Sequence, residues 1–420
     1  MADYAKLPAG ATLAITPFKA HVEEEKLQHF KTLLQLSPVG PAVFENTHAG
    51  NTYGITRDWL QNAKNTWLND FDWRKHEDRI NSYPNFKTSV QDPQGNTIDV
   101  HFLALFSENP HAVPIALFHG WPGSVCDFFD MLDLLRQKFS PADLPYHVVV
   151  PSLPGYAYSS LPPDVDYEID LAAGAMHSLM MGLGFGSGYL VHGGDLGSFV
   201  SRIMALRYAE CKGMHVNMMG APALDENPPR SEDEKQALRR ALEHIDTASG
   251  FMLQQGQRPA TVGLALSASP LALLSWIGEK FLAWTDGDFP LDKILESVTL
   301  YWMTDTFPRT MYHSRGLASA QDKPKIARTS VICKMTALQL PYVEKPCGYS
   351  LFAKEIFPVP KTWADLSCHL VSFNQHAQGG HFPVSAHFDG DGFAMEKPRA
   401  LLADVEAYVE KAWTADDSAK

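Results

Sequence analysis

The chain reads as an α/β protein in which a largely parallel sheet is interrupted by an all-helical insertion. Three observations carry this. Short apolar, β-branched runs alternate with helical patterns from about Asp99 onward, the alternation stops between about residues 223 and 337, and strand-like runs resume after it.

Before Asp99, residues 1–95 carry mixed helical patches, such as 23–34 and 56–68, joined by Pro- and Gly-containing connections without strand–helix alternation. They read as an extension wrapped around the catalytic body. The first part of that body, 96–222, contains strand-like runs at 100–106, 113–118, 147–150, 188–191 and 214–218. Helical patterns at 126–139, 168–183 and 198–210 separate several of them, and strands alternating with helices imply parallel pairing. The insertion, 223–337, holds amphipathic segments at 231–244, 269–284 and 291–303 and reads as a lid. The second part, 338–420, supplies strands at 347–352 and 369–373 and a closing helix at 395–413.

At 420 residues and 45% hydrophobic content, the chain is long enough for one large catalytic domain with appended segments. A formal net charge of −13 and the lack of a dense Lys/Arg block argue against a nucleic-acid partner or a polybasic membrane arm. No signal-like start and no uncharged apolar stretch of spanning length are present, so a soluble, cytoplasmic protein is expected. The five cysteines, Cys126, Cys211, Cys333, Cys347 and Cys368, lack metal-ligand spacing and read as buried thiols. No metal or cofactor is expected, the partner is a neutral small molecule, and a homodimer is left open.

The strongest chemical signal is VHGGDLGS at 191–198, a strand that runs through a small-residue turn into a helix. It matches the nucleophile elbow G-x-Nu-x-G of α/β-hydrolases, with Asp195 where serine is usual. Glycines belong there because the elbow residue is strained and strand and helix backbones pass close together. Alone, the same residues would sooner describe an Asp capping a helix after an ordinary turn.

Context decides for the elbow. FHGWPGS at 118–124 follows another buried strand, where this fold places a loop that donates one backbone N–H to an oxyanion hole. Trp121 and Leu196 are the expected donors, with Pro122 fixing the turn. The base comes last in chain order, and HAQGGHF at 376–382 offers His381, presented by paired glycines, with His376 as runner-up. The carboxylate that orients the base follows the preceding strand, at Glu355, with Asp365 a poorer candidate beyond Pro360.

Taken together, HGWPGS, PSLPGYAYSS, GGDLGSF, SPLALLSWIGEK, LYWMTDTFPR, HAQGGHF and the N-terminal FDWRKHEDRINSYPNF resemble the microsomal or fungal type of epoxide hydrolase over nearly the whole chain. The resemblance implies that Asp195 attacks an oxirane carbon to form an alkyl ester. His381, held by Glu355, then activates water against that ester while the Trp121 and Leu196 amides stabilise the oxyanion.

The chain departs from that family in two places. The family's two lid tyrosines, which protonate the opening oxygen, align with Phe251 and Ser314, and neither can donate as a phenol does. Tyr312 is the nearest substitute, although two helical positions turn a side chain by roughly 200°; His313 and Tyr301 are further candidates. The second departure is an insertion at 383–392 after the base, which reads as a tolerated surface-loop insertion or, as the alternative, as a remodelled pocket mouth with His387, Asp389 or Asp391 near the substrate. The leading expectation is a hydrolase that converts small apolar epoxides to vicinal diols. The alternatives are a non-hydrolytic cyclase or isomerase of specialised metabolism on the same scaffold, a binding protein with a degenerate site, and a haloalkane dehalogenase.

Overall fold

A computed structural model describes residues 4–220, 229–318, 341–383 and 397–417. Nine strands form one sheet: β1 (Thr16–Pro17), β2 (Asn85–Gln91), β3 (Thr97–Leu105), β4 (Val113–Phe118), β5 (Tyr146–Pro151), β6 (Tyr189–Gly193), β7 (Cys211–Val216), β8 (Val343–Lys354) and β9 (Cys368–Gly380). Their order is β1-β2-β3-β5-β4-β6-β7-β8-β9. From β5 to β9 all pairings are parallel, and β1, β2 and β3 extend the sheet antiparallel at one edge.

The central strand shows why the pattern reads clearly. β4 is buried at all six positions, and a strand covered on both faces must be apolar throughout rather than alternating. The helix Leu196–Arg207 packs on β4, β6 and β7, and the closing helix Lys397–Asp417 packs on β7, β8 and β9. The sheet is thus an α/β-hydrolase scaffold whose parallel strands bring their carboxyl ends to one edge.

The expected extension contains a strand that the sequence reading missed. β2 pairs antiparallel with β3 from Asn85↔Leu103 to Gln91↔Thr97. Four helices lie ahead of it, Glu24–Leu36, Phe44–Thr47, Arg57–Asn69 and Trp73–Asn81. They bury Leu27, Phe30, Trp67, Trp73 and Ile80.

The insertion is helical throughout its described part, 229–318, with Glu232–Ala248, Gly250–Gln257, Pro259–Leu266, Pro270–Ala283, Leu291–Met303 and Tyr312–Ala318 as its α-helices. The extension clamps it. Helix Glu24–Leu36 packs on Pro270–Ala283, and Trp73–Asn81 packs on Leu291–Met303. Hydrogen bonds tie the two, a buried one from Trp67 Nε1–H to Thr299 Oγ1 (2.9 Å) and a partly buried one between His76 Nδ1 and Glu296 Oε1 (2.9 Å). No single described helix is long and apolar enough to cross a membrane.

Candidate active site

Asp195 sits between β6 and the helix Leu196–Arg207 with φ 48° and ψ −122°, a conformation that an L-residue adopts only when its surroundings impose it. The crowding is visible. A Cβ on Gly197 would meet the Phe118 carbonyl oxygen at 2.2 Å, and one on Gly120 would meet Asp195 Cβ at 2.3 Å. Glycine at these positions lets the β4 loop, the elbow and the helix share one small volume.

The loop after β4 is pinned by its own side chain and by the insertion. His119 Nε2 accepts from the Leu153 N–H (3.1 Å), so its Nδ1 carries the proton donated to the Gly120 carbonyl (3.1 Å). Ser297 and Tyr301 hydroxyls donate to the Pro122 and Gly123 carbonyls. So held, the Trp121 N–H donates to Asp195 Oδ1 at 2.7 Å. Leu196 opens its helix, so its N–H has no carbonyl partner four residues earlier within that helix.

His381 Nε2 lies 3.3 Å from Asp195 Oδ2, and its Nδ1 lies 2.9 and 3.1 Å from the two Glu355 oxygens. Glu355 also accepts from the Phe357 N–H at 3.2 Å. The glycine pair before His381 has a structural cause: Gly379 has φ +103°, and a Cβ on Gly380 would meet the Trp284 carbonyl oxygen at 2.4 Å. That carbonyl accepts the His381 N–H at 2.8 Å, so the insertion itself seats the base candidate.

The electrostatics follow from the geometry. Burial opposes the charge on His381, but Glu355 and Asp195 outweigh it and raise its pKa to about 10. Burial likewise raises Asp195, and the His381 hydrogen bond and charge, with His313 and the Trp121 N–H, prevail and hold the carboxyl below its ordinary value. The resting pair is a carboxylate beside an imidazolium.

Above Asp195 lies a chamber whose walls are mostly apolar, including Ile169, Phe199, Met218, Met252, Ile356 and Phe357. The insertion contributes Phe251, Trp284, His313 and Ser314 to its roof. Phe251 stacks on Trp121 with ring centroids 5.3 Å apart and planes 12° apart, and Lys280 Nζ sits 4.3 Å from the Phe251 centroid. Ser314 Oγ donates to Gln255 Oε1 at 3.0 Å.

The structure does not bring Tyr312 to this chamber. Its hydroxyl donates to the Pro154 carbonyl (3.1 Å), and its ring meets Tyr167 edge-on. Tyr301 is turned to Gly123, as described. His313 is the polar aromatic that faces the chamber; its Nδ1 lies 2.6 Å from the Thr310 carbonyl and must donate to it, which leaves Nε2 as the free nitrogen. Burial lowers its pKa despite Asp195 nearby.

The alternatives for the base and its partner lie elsewhere. His376 Nε2 pairs with Asp404 Oδ2 at 2.7 Å, and Asp365 pairs with Lys361 at 2.8 Å on the surface. His387, Asp389 and Asp391 fall outside the described residues, as does Cys333. The other four cysteines are free and buried. No group of three or more His, Cys, Asp or Glu that could hold a metal occurs among the described residues. Sequence reasoning did not find the pairing of Lys280 with Phe251, nor Asn217 beside the elbow; the one available signal was a polar residue at the carboxyl end of a buried strand.

Comparison with known proteins agrees with this architecture. Residues 15–128 match the family model for the epoxide hydrolase N terminus, and residues 113–246 match that for the alpha/beta hydrolase fold. A Dothistroma septosporum protein named for epoxide hydrolase activity is 43% identical over 425 residues, covering 100% of this chain and 95% of its own. Epoxide hydrolase 1 of Sus scrofa is 27% identical over 434 residues, covering 94% and 88%. The structure of Aspergillus niger epoxide hydrolase superposes with a TM-score of 0.85 at 39% identity, covering 98% of this chain and 100% of that one. An elbow built on aspartate, an α/β-hydrolase sheet and relatives that match from end to end make this enzyme a member of the epoxide hydrolase family.

Proposed function

We propose that the enzyme opens small apolar epoxides to vicinal diols through an alkyl ester on Asp195. The observation that carries this is the bracketing of one carboxylate. Oδ1 takes the Trp121 N–H at 2.7 Å, and Oδ2 takes His381 at 3.3 Å. A carboxylate displaces at an sp³ carbon without prior deprotonation, and the ester it forms has a carbonyl that water can attack, whereas a serine would leave a stable ether. The apolar chamber walls favour an apolar substrate.

The proton balance closes around His381. It rests protonated between two carboxylates. Esterification removes the charge of Asp195, so its pKa falls and it gives up a proton as the opened alkoxide gains one. Neutral His381 then takes a proton from water as the water oxygen bonds to the Asp195 carbonyl carbon, with the Trp121 and Leu196 amides at the oxyanion. Ester cleavage releases the diol and restores carboxylate and imidazolium.

A cyclase reading draws support from one feature: no tyrosine lines the chamber among the described residues. A substrate carrying its own hydroxyl would then close a ring in place of hydrolysis. One experiment separates the readings. Single turnover with styrene oxide in ¹⁸O-labelled water leaves the first diol unlabelled and labels later ones through Asp195; label in the first diol, or a cyclic ether without label from a hydroxy-epoxide as the sole product, overturns the ester route.

A further inference from the structure

Behind the nucleophile, a second cavity offers about 30 Å³ to water centres. At about 10–15 Å³ per site this is room for about two waters. Its wall includes Asp195 and His381, and also two buried polar side chains for which the mechanism has so far had no use, His192 and Asn217. Each has one atom without a protein partner among the described residues, His192 Nε2 and Asn217 Nδ2. A buried polar atom left without a partner is costly, so two at one cavity next to His381 point to a ligand. Asn217 is wedged against the elbow itself, since a Cβ on Gly194 would meet its Oδ1 at 2.6 Å.

A chain of buried groups decides which kind of atom His192 presents. Ser350 Oγ donates to Asp404 Oδ2 at 2.5 Å, because a carboxylate only accepts. The Ser350 oxygen therefore accepts from His215 Nε2–H, 3.2 Å away. His215 Nδ1 is then bare and accepts from His192 Nδ1–H at 2.9 Å. His192 and His215 are direct neighbours on the parallel strands β6 and β7, which is why their rings meet. Burial keeps both rings neutral. What remains at the cavity is a lone pair on His192 Nε2. Asp404 is held at the far end by Asn374 and His376.

We infer that this cavity is the site of the hydrolytic water, held by Asn217 and His192 as positioning residues. The water oxygen accepts from Asn217 Nδ2–H, one hydrogen goes to His192 Nε2 and the other to neutral His381 Nε2, which satisfies a water with one donor and two acceptors. In the hydrolytic step the oxygen–carbon bond to Asp195 forms as His381 takes one proton. The acyl–oxygen bond between the Asp195 carboxyl carbon and the alkoxy oxygen then breaks, one proton ends on the diol oxygen that leaves with the alkyl group and the other stays on His381, and the water oxygen remains in the Asp195 carboxylate.

This rests on the ester reading, and the test keeps the two apart. Quenched-flow mass spectrometry with styrene oxide follows formation and decay of the adduct in wild type, His381→Gln, Asn217→Ala and the remote Ser350→Ala, with melting temperature as a check of folding. Asn217→Ala prolongs the adduct by about tenfold or more while alkylation stays within about twofold. Ser350→Ala, which frees the His215 and His192 tautomers without touching the cavity, prolongs it by at least about threefold. Adducts that decay at the wild-type rate in both variants, or alkylation and hydrolysis that fall by the same factor, overturn the water site. No adduct in any protein, His381→Gln included, overturns the ester reading and this inference with it.

Discussion

Phe251 lies flat against Trp121, with ring centroids 5.3 Å apart, so the chamber aromatic stacked on that residue has no hydroxyl to offer an opening epoxide. Restoring phenols in Phe251→Tyr/Ser314→Tyr raises the alkylation rate of Asp195 on styrene oxide by about tenfold or more, the scale of positioned general acid catalysis. Single-turnover formation of the adduct measures this; an unchanged or lower rate removes the lid explanation.

Tyr312→Phe is expected to leave alkylation unchanged, because its hydroxyl is engaged by the Pro154 carbonyl. Its effect is a stability loss of about 1 kcal/mol from one buried hydrogen bond. His313→Phe is likewise expected to leave alkylation little changed, because its Nδ1–H is engaged by the Thr310 carbonyl and burial keeps the chamber-facing Nε2 a bare acceptor. A rate loss in either variant would reverse its assignment.

His381→Gln removes both the proton that balances ring opening and the base proposed for the second step, while Asp195 and its Trp121 N–H remain, so the ester forms more slowly and then persists. Intact-protein mass spectrometry after styrene oxide shows the adduct. An unmodified mass together with lost turnover would show that ring opening fails outright without the His381 proton.

Gly120→Ala pushes a methyl group into Asp195, whose Cβ it would meet at 2.3 Å. Displacing the carboxylate from the Trp121 N–H lowers turnover by about 10²-fold, the scale of a 1 Å misplacement. Activity close to wild type in a folded variant would show that the loop yields at no functional cost.

His76 ties the extension to the insertion, and its titration gives a signed prediction. Burial opposes its charge, but hydrogen bonds with Asp292 and Glu296 prevail and raise its pKa from 6.5 to about 9. A raised folded-state pKa stabilises fully below pH 6.5, and the contribution is lost as pH rises through about 9. Wild-type melting temperature therefore falls over that window more steeply than that of His76→Gln, as calorimetry across pH will show; parallel curves contradict it.

Much of this was legible in the sequence because local chemistry and fold agree. β4 is apolar at every position because it is covered on both faces, and the elbow glycines are fixed by backbone contacts that admit no Cβ. Chain order alone named Glu355 and His381, the two side chains the structure sets 2.9 Å apart. β2 escaped because it follows helices directly and alternates only weakly, its strand character coming from pairing with β3. The direction of Tyr312 was hidden for another reason: a 3-10 turn, Phe307–Thr310, ends just before the helix Tyr312–Ala318 begins, so periodicity cannot be carried across the junction. The cavity beside Asn217 arises from lateral strand register, which no local pattern encodes.

The tie between Trp67 and Thr299 spans 232 residues, so the extension leaves the ribosome long before its partner exists. At about 5–20 residues per second, Trp67 waits on the order of 10–50 s for Thr299. During that interval Phe30, whose ring centroid lies 5.0 Å from that of Trp67, is its near partner, while the face meant for the insertion stays open to water. The nascent chain is therefore exposed to aggregation and chaperone capture through its first quarter, and its yield in cells depends on how quickly the chain beyond that quarter is made.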